Sequence, residues 1–137
     1  MVKVTALSFQ TEYLYADPRH EGILIPVELT ANFSVRLYAY VDTGAANCIF
    51  QRQFAEVLEL PLATGQLRRF STASGAVLDA WGHNLRLTTL GFSVDAMVYF
   101  AEDFQFRRNV LGRQGWLDRF RVGLVHYDST LYLNSYD

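Results

Sequence analysis

Apolar and polar residues alternate in short runs along most of this chain, and turn residues separate the runs. Alternation with a period of two is typical of strands that bury one face. The runs predict a first strand that begins with Val2, Val4 and Leu7, and further strands at residues 23–29, 34–41, 67–72, 76–79, 84–90, 92–100, 121–127 and 131–136. Many short strands of this kind indicate an all-β fold, either a sandwich or a barrel.

The segments between these runs contain the residues that tight turns require. Asp17-Pro18 and Glu21-Gly22 precede the second strand. Ala73-Ser74-Gly75 is suited to a hairpin tip because glycine readily adopts a positive φ. Gly91 and Asp128-Ser129 are expected to connect two further strand pairs.

Helical spacing predicts one or two short helices. Phe54, Val57 and Leu58 indicate a helix over residues 51–58 that ends before Pro61. A second helical turn is expected over residues 114–120. Since no linker, repeat or low-complexity tract divides the chain, residues 1–137 are predicted to form one domain.

Composition and charge narrow the functional classes. Half of the residues (50%) are hydrophobic, 15% are aromatic and 19% are charged, which excludes an intrinsically disordered chain. The net charge of −2 gives no reason to expect nucleic acid or an anionic membrane as a partner. The basic pairs Arg68-Arg69 and Arg107-Arg108 are interpreted as solvated surface.

The number of cysteines and the pattern of the N-terminal residues indicate the cellular compartment in which the protein is expected. The single cysteine, Cys48, excludes an intrachain disulfide framework and is interpreted as a small buried hydrophobe. The first residues alternate instead of forming a continuous apolar segment, and no stretch reaches the roughly 18 apolar residues of a membrane span. We therefore expect a cytoplasmic protein without a signal peptide or transmembrane segment.

The stretch Tyr40-Val41-Asp42-Thr43-Gly44-Ala45 contains the main chemical signal. A carboxylate at the end of an apolar strand, followed by a hydroxyl and a glycine, is suited to a tight turn that lifts the acid out of the core. Tyr40 shares a strand face with Asp42, because side chains alternate along a strand. Asp-x-Gly is also common in ordinary turns, so the tripeptide alone does not establish catalysis.

A second motif, Val110-Leu111-Gly112-Arg113, lies far downstream, just before the predicted helical turn. Together the two segments resemble the retropepsin-like aspartic peptidases. In that family a hydrophobic-hydrophobic-Asp-Thr-Gly-Ala loop is followed by a flap hairpin and then by hydrophobic-hydrophobic-Gly-Arg. The resemblance covers most of the chain. It implies the acid protease fold, a closed retropepsin-like β-barrel, and aspartic endopeptidase activity without a metal or other cofactor.

The resemblance also assigns roles to single residues. Asp42 corresponds to the catalytic aspartate, and the hydroxyl of Thr43 to the one that bonds across the dimer axis. The carbonyl of Gly44 would receive the substrate backbone, and Val110 would line a side-chain pocket. The remaining residues assigned to substrate binding or support are Ala45, Tyr40, Leu111, Gly112, Arg113, and Ser74 and Gly75 in the flap.

Two positions depart from the family pattern. Family members often carry an acid two residues after the motif glycine, where it pairs with the later arginine. Here that position is Ala46, so Arg113 must find another partner. The flap tip also lacks the double glycine of viral members.

A single Asp-Thr-Gly predicts that two copies of the chain form one active site. Hydrolysis requires one carboxylate to take a proton from water and one carboxylic acid to polarise the carbonyl, and a lone aspartate cannot do both. Asp128 and Asp95 lack the glycine that should follow. We therefore expect a homodimer in which each copy contributes Asp42, acting on a polypeptide substrate. Strands near residues 1–7 and 131–136 are candidates for a shared sheet.

Other functional classes fit the sequence less well than the aspartic peptidase. The histidines His20, His83 and His126 lack zinc-binding spacing, and no Gly-x-Ser-x-Gly motif of a serine hydrolase is present. A catalytically inactive peptide-binding or scaffolding domain of the same fold stays open, since a fold does not guarantee activity. The missing acid at Ala46 favours that alternative.

Overall fold

The computed structural model describes residues 1–15, 22–72 and 74–136. Its described residues are mostly in strands, with one short α-helix, and this confirms the predicted all-β class. The elements in chain order are β1 (Thr11–Leu14), β2 (Leu24–Thr30), β3 (Ser34–Val41), β4 (Ile49–Phe50), α1 (Arg52–Val57), β5 (Gln66–Ser71), β6 (Val77–Thr89), β7 (Phe92–Ala101), β8 (Val110–Leu111), β9 (Phe120–Val125) and β10 (Thr130–Ser135). Single 3-10 turns cover Leu62–Thr64 and His126–Asp128.

Two sheets organise these strands. The larger sheet has seven strands in the order β2-β3-β8-β4-β7-β6-β5, and β2 pairs in addition with β6. That extra pairing closes the sheet into a ring and leaves β5 outside it. The closure is short, since it joins only Glu28, Leu29 and Thr30 of β2 to β6. The smaller sheet has the order β1-β10-β9.

The alternating pattern of the sequence explains which faces are buried. In β2 the residues Ile25, Val27 and Leu29 are buried while their neighbours are partly exposed. The largest fully buried side chains include Trp116 and Phe50. Burying an apolar side chain of this size contributes roughly 1.5–3 kcal/mol. The core therefore lies inside the ring of strands and continues under the turns that precede β9.

Strand β6 is longer than the sequence pattern predicted. Residues 76–79 and 84–90 were expected as separate strands, but β6 runs without interruption and pairs with β7 from Ala80 to Thr89. Its first part also pairs with β5, and its last part pairs with β2. The buried face changes between Gly82 and Leu85, so a single period-two pattern does not run through the whole strand.

The predicted first strand is wrong. Residues 1–9 form no strand, and Val2 and Val4 are 88% and 86% exposed. The first strand begins instead at Thr11, where the chain finds a partner in β10. Alternation gives a strand only where a hydrogen-bonding neighbour is available. The predicted turns at Asp17-Pro18 and at residue 21 lie outside the described residues.

The predicted helical turn over residues 114–120 is also wrong, because this segment is a series of turns. Gly115 has a φ of +101°, which a right-handed helix does not contain. The backbone N–H of Leu117 donates to the Gly112 carbonyl, five residues earlier, instead of four. These turns place Trp116 in the core, where its ring centre lies 5.8 Å from that of Phe120.

The terminal strands differ from the expected shared sheet in one respect. Strand β10 lies between β1 and β9 of its own chain, so both of its edges are already paired. The free edges of this sheet belong to β1 and β9. A sheet shared with a second copy would therefore form at one of these edges and not at residues 131–136. Within the described part of the chain, no helix has the length and apolar character needed to cross a membrane.

Candidate active site

The Asp42 carboxyl group lies on a tight loop at the end of β3. The backbone N–H of Asp42 donates to the Leu111 carbonyl at 3.0 Å, which ties the start of the loop to β8. The backbone N–H of Gly44 donates to Oδ1 of Asp42 at 2.9 Å, and that of Ala45 donates to the Asp42 carbonyl at 3.2 Å. The carboxyl group is exposed. The loop therefore fixes one carboxylate oxygen and presents the acid to solvent.

The structure brings the two sequence motifs together. Strand β8 is parallel to β3, with Tyr40 beside Val110 and Val41 beside Leu111. The same strand is antiparallel to β4, where Ile49 pairs with Val110. The downstream motif therefore lies between the two strands that flank the Asp42 loop. The two motifs that carry the family resemblance are therefore neighbours in the fold.

Gly112 allows the closest approach between the two motifs. A Cβ atom at this position would lie 2.3 Å from the carbonyl oxygen of Asn47 and 2.7 Å from that of Ala45. Such distances are shorter than any real Cβ contact and involve backbone atoms that cannot move away easily. Glycine is therefore required here by space.

Arg113 supports the loop through the main chain. Its backbone N–H donates to the Ala45 carbonyl at 2.8 Å, and its guanidinium donates to the Thr43 carbonyl at 3.1 Å. Position 46 is an alanine and offers Arg113 no acid, so the guanidinium finds its partner in the Asp42 loop itself. The Thr43 side chain is exposed, and its hydroxyl makes no hydrogen bond within the described residues.

A cleft of about 530 Å³ opens beside Asp42. Its floor is the loop that carries the acid, and its roof is the hairpin of β5 and β6. The lining residues are Asp42, Gly44, Ala45, Ala46, Asn47, Ile49, Phe70, Ser71, Thr72, Leu78, Phe106, Arg108 and Val110. The cleft is mainly apolar with an exposed carboxylate at one side, which suits an extended peptide with apolar side chains.

The hairpin tip has the turn that the sequence predicted, although not all of it is described. Gly75 has a φ of +85°, and its N–H donates to the Thr72 carbonyl at 2.9 Å. Ser74 and Gly75 are exposed and do not line the cleft, whereas Ser71 and Thr72 do. Ala73 lies outside the described residues. Contact between the tip and a bound peptide stays a prediction.

Sequence reasoning missed part of the cleft wall. Phe70, Phe106 and Leu78 were not named, and Arg108 was interpreted as solvated surface. A usable signal exists for Arg108, because it lies two residues before Val110 and two-residue spacing places side chains on one face of an extended chain. No comparable signal marks the aromatic residues, which come from elements that meet only in the folded protein.

Among the described residues, the acids other than Asp42 and the histidines do not line the cleft beside Asp42. Asp95 is exposed and forms an ion pair with Arg86 at 3.6 Å. His83 contacts the Leu62 carbonyl at 3.0 Å, and His126 contacts the Tyr15 hydroxyl at 2.8 Å. The described residues contain no cluster of side chains suited to a metal ion. His20 lies outside them.

Cys48 is a buried residue, as its apolar surroundings predicted. Its exposure is 0%, its Sγ lies 3.6 Å from the Gln114 carbonyl, and burial raises the pKa of the thiol to about 12. At pH 8 only about one thiol in 10⁴ would then be ionised, and the thiolate is the reactive form.

We expect the folded protein not to react with a thiol-specific reagent at pH 8 within minutes. After unfolding in guanidinium chloride, one thiol per chain should react, as measured by the absorbance of the reagent's coloured product. Rapid labelling of the folded chain would contradict the burial of Cys48.

Comparison with known proteins agrees with this geometry. A family model described as aspartyl protease matches residues 27–114, a range that includes the Asp42 loop, the hairpin and Gly112. Among solved structures, a retropepsin-like aspartic protease from Rickettsia conorii is similar, with a TM-score of 0.64 and 19% sequence identity over 90% of this chain and 98% of that chain. A search of the curated proteins found no match. The chain thus belongs to the aspartyl protease family and has the retropepsin-like fold.

Proposed function

We propose that this protein is an aspartic endopeptidase that acts as a homodimer, with Asp42 of each copy in one active site. The observation that carries the proposal is the exposed Asp42 carboxylate beside an apolar cleft, on a loop held by β8. Hydrogen bonding of Oδ1 to Gly44 leaves Oδ2 available for a water molecule or a second carboxyl group.

The reaction requires two carboxyl groups that share one proton. Two aspartates about 3 Å apart do not both ionise readily, so one stays protonated over a window between two apparent pKa values. These values belong to the pair and not to one residue. The ionised group takes a proton from water, which attacks the peptide carbonyl, while the protonated group donates to the carbonyl oxygen. Collapse of the tetrahedral intermediate breaks the C–N bond: the carboxyl group that took the proton from water gives it to the leaving amine nitrogen, and the other regains its proton from the hydroxyl of the intermediate.

Within the described residues Asp42 is the only acid that lines the cleft. A second chain is therefore the proposed source of the other carboxyl group, through a twofold axis near Asp42. The exposed Thr43 hydroxyl is available to bond across such an axis. The free edges of β1 and β9, together with the exposed Leu14, Leu124 and Val125, offer surface for the dimer contact.

The apolar walls suggest how a peptide is held. Ile49, Phe70 and Val110 offer contacts to apolar side chains of the substrate, and the Gly44 carbonyl belongs to the same loop as the acid. An extended peptide places alternate side chains on opposite sides, so a cleft between a loop and a hairpin contacts both. The substrate is therefore proposed to be a polypeptide in extended form.

Binding without hydrolysis is the second candidate function. It is favoured by Ala46, which lines the cleft at the position where relatives often carry an acid. Arg113 compensates in part by its bond to Thr43, which keeps the loop in place without that acid.

A peptide library separates the two functions. The purified protein should cleave internal bonds of a mixed library between acid and neutral pH, with a bell-shaped pH profile, and a hydroxyl-containing mimic of the tetrahedral intermediate should block cleavage. The rate per chain should fall on dilution, because dimers dissociate. Peptides that bind but stay intact at every pH would favour the binding domain over the peptidase.

A further inference from the structure

The cleft beside Asp42 contains one fixed positive charge. Of the described residues that line it, only Asp42 and Arg108 carry a formal charge. If the Asp42 carboxylate is engaged in the reaction, Arg108 is the charged group left to recognise the substrate. Its surroundings are otherwise apolar, with Phe70, Phe106 and Leu78 in the same wall. Arg108 itself is exposed, so water and salt partly screen a charged contact at this position.

The position of Arg108 places it within reach of a side chain near the bond that is cut. Its guanidinium carbon lies 4.3 Å from the ring centre of Tyr40. Tyr40 precedes Asp42 by two residues and faces the same side of the chain, a spacing of about 7 Å. The N–H of Tyr40 also donates to the Asn109 carbonyl at 2.8 Å, which fixes the backbone next to Arg108. A substrate residue bound close to Asp42 can therefore meet this guanidinium.

The guanidinium is oriented but has no acidic partner in the described part of the chain. The ion pairs found there use other arginines, namely Arg36, Arg52, Arg69 and Arg86. The contact with the Tyr40 ring restrains the guanidinium, and a guanidinium can bind a carboxylate with two parallel hydrogen bonds. Ala46 removes the acid that would otherwise add a negative charge to the same cleft.

We propose that Arg108 makes this enzyme select peptides that carry an aspartate or glutamate within three residues of the scissile bond, next to apolar residues. The inference rests on the proposed peptidase function and adds the chemical class of its substrate. Tyr40 acts through Arg108 as a positioning residue, since the contact with its ring restrains the guanidinium.

The test compares matched peptides and matched variants. All peptides share one apolar cleavage site. One series carries Glu, a second Gln and a third Lys, each placed in turn at one of the three positions before or the three positions after the scissile bond. The wild-type protein should cleave the best Glu peptide about 10-fold faster in kcat/KM than its Gln counterpart, which corresponds to about 1.4 kcal/mol. The difference should lie mainly in KM and should shrink in 1 M salt.

Arg108→Gln should remove the preference for Glu, and Arg108→Glu should reverse it in favour of Lys. Arg107→Gln is the control, because Arg107 is adjacent in sequence and exposed like Arg108, but is not part of the cleft lining. It should keep the wild-type ratio. Equal cleavage of Glu and Gln peptides by the wild-type protein, or an unchanged ratio in Arg108→Gln, would overturn the inference.

Binding of the same peptides to the Asp42→Asn variant separates this inference from the proposed function. Fluorescence anisotropy should give about 10-fold tighter binding of the Glu peptide than of the Gln peptide, and Arg108→Gln in that background should remove the difference. If no peptide is cut but this preference is found, the peptidase proposal fails and the inference about Arg108 holds. If peptides are cut but no preference is found by either method, the inference fails alone.

Discussion

Replacement of Asp42 by Asn is expected to lower kcat/KM by about 10³-fold or more. General acid–base catalysis contributes roughly 10²–10⁴-fold, and a homodimer of the variant carries two amides in place of the two carboxyl groups, so the shared proton on which both roles depend is lost. The fold should persist, because Asn retains an Oδ1 atom that can accept the Gly44 N–H now bound to Asp42. Circular dichroism and sedimentation would establish that fold and assembly are retained while a peptide assay measures the loss.

Asp95→Asn is the matched control for this change. Asp95 is exposed and lies outside the cleft, so the variant should cut peptides at the wild-type rate. The Asp42→Asn chain should also inhibit the wild-type chain in mixtures. With a threefold excess and free exchange, about one quarter of the activity should remain, because most wild-type chains then have an inactive partner. Undiminished activity in the mixture would mean that a single chain is sufficient.

Gly112→Ala is expected to have the largest effect on stability. The added methyl group would lie 2.3 Å from the Asn47 carbonyl oxygen, so β8 and the Asp42 loop must move apart. Overpacking against backbone costs about 3 kcal/mol or more, out of a total of roughly 5–15 kcal/mol for a domain. Thermal unfolding should shift down by about 10 °C. Because the same displacement moves Asp42, activity at a temperature where the variant is folded should fall about 10²-fold.

Gly91→Ala separates this steric effect from backbone strain. Gly91 has a φ of +87°, and a Cβ added there would meet no atom within 4 Å, so an alanine introduces strain without overlap. It should cost about 1–2 kcal/mol and leave kcat/KM unchanged. A Gly112→Ala protein with wild-type stability and activity would show that the packing between the two motifs does not maintain the site.

Much of the fold could be predicted from the sequence, because in many strands the residues that are apolar in the sequence pattern are the residues that are buried in the structure. The bounds of β3 match the prediction, and α1 lies within residues 51–58. Strand β3 buries Leu37 and Ala39 on one face, as its alternation predicted. At α1 the match is partial, because Leu58 is buried but Val57 is 54% exposed. The family resemblance identified both motifs, but the close approach between the Asp42 loop and Gly112 was not predicted, since no local pattern links residues so far apart.

The remaining features depend on tertiary contacts that a pattern does not contain. Val2 and Val4 alternate like a strand but have no partner. Gly115 interrupts an apparent helical turn, because burial of Trp116 is achieved with a positive φ. Arg108 looked like ordinary surface because its role depends on the ring of Tyr40, which comes from another strand. In each case the missing information is the identity of a neighbour distant in sequence.

The insertion of β8 between β3 and β4 has a consequence for biosynthesis. Asp42 is held by a hydrogen bond to Leu111, so its loop acquires its final geometry only after a long segment of chain has been made and closed. Such non-local pairing folds slowly compared with local hairpins. During translation the Asp42 loop therefore cannot reach its final geometry until the residues near Leu111 have left the ribosome and can pair with β3.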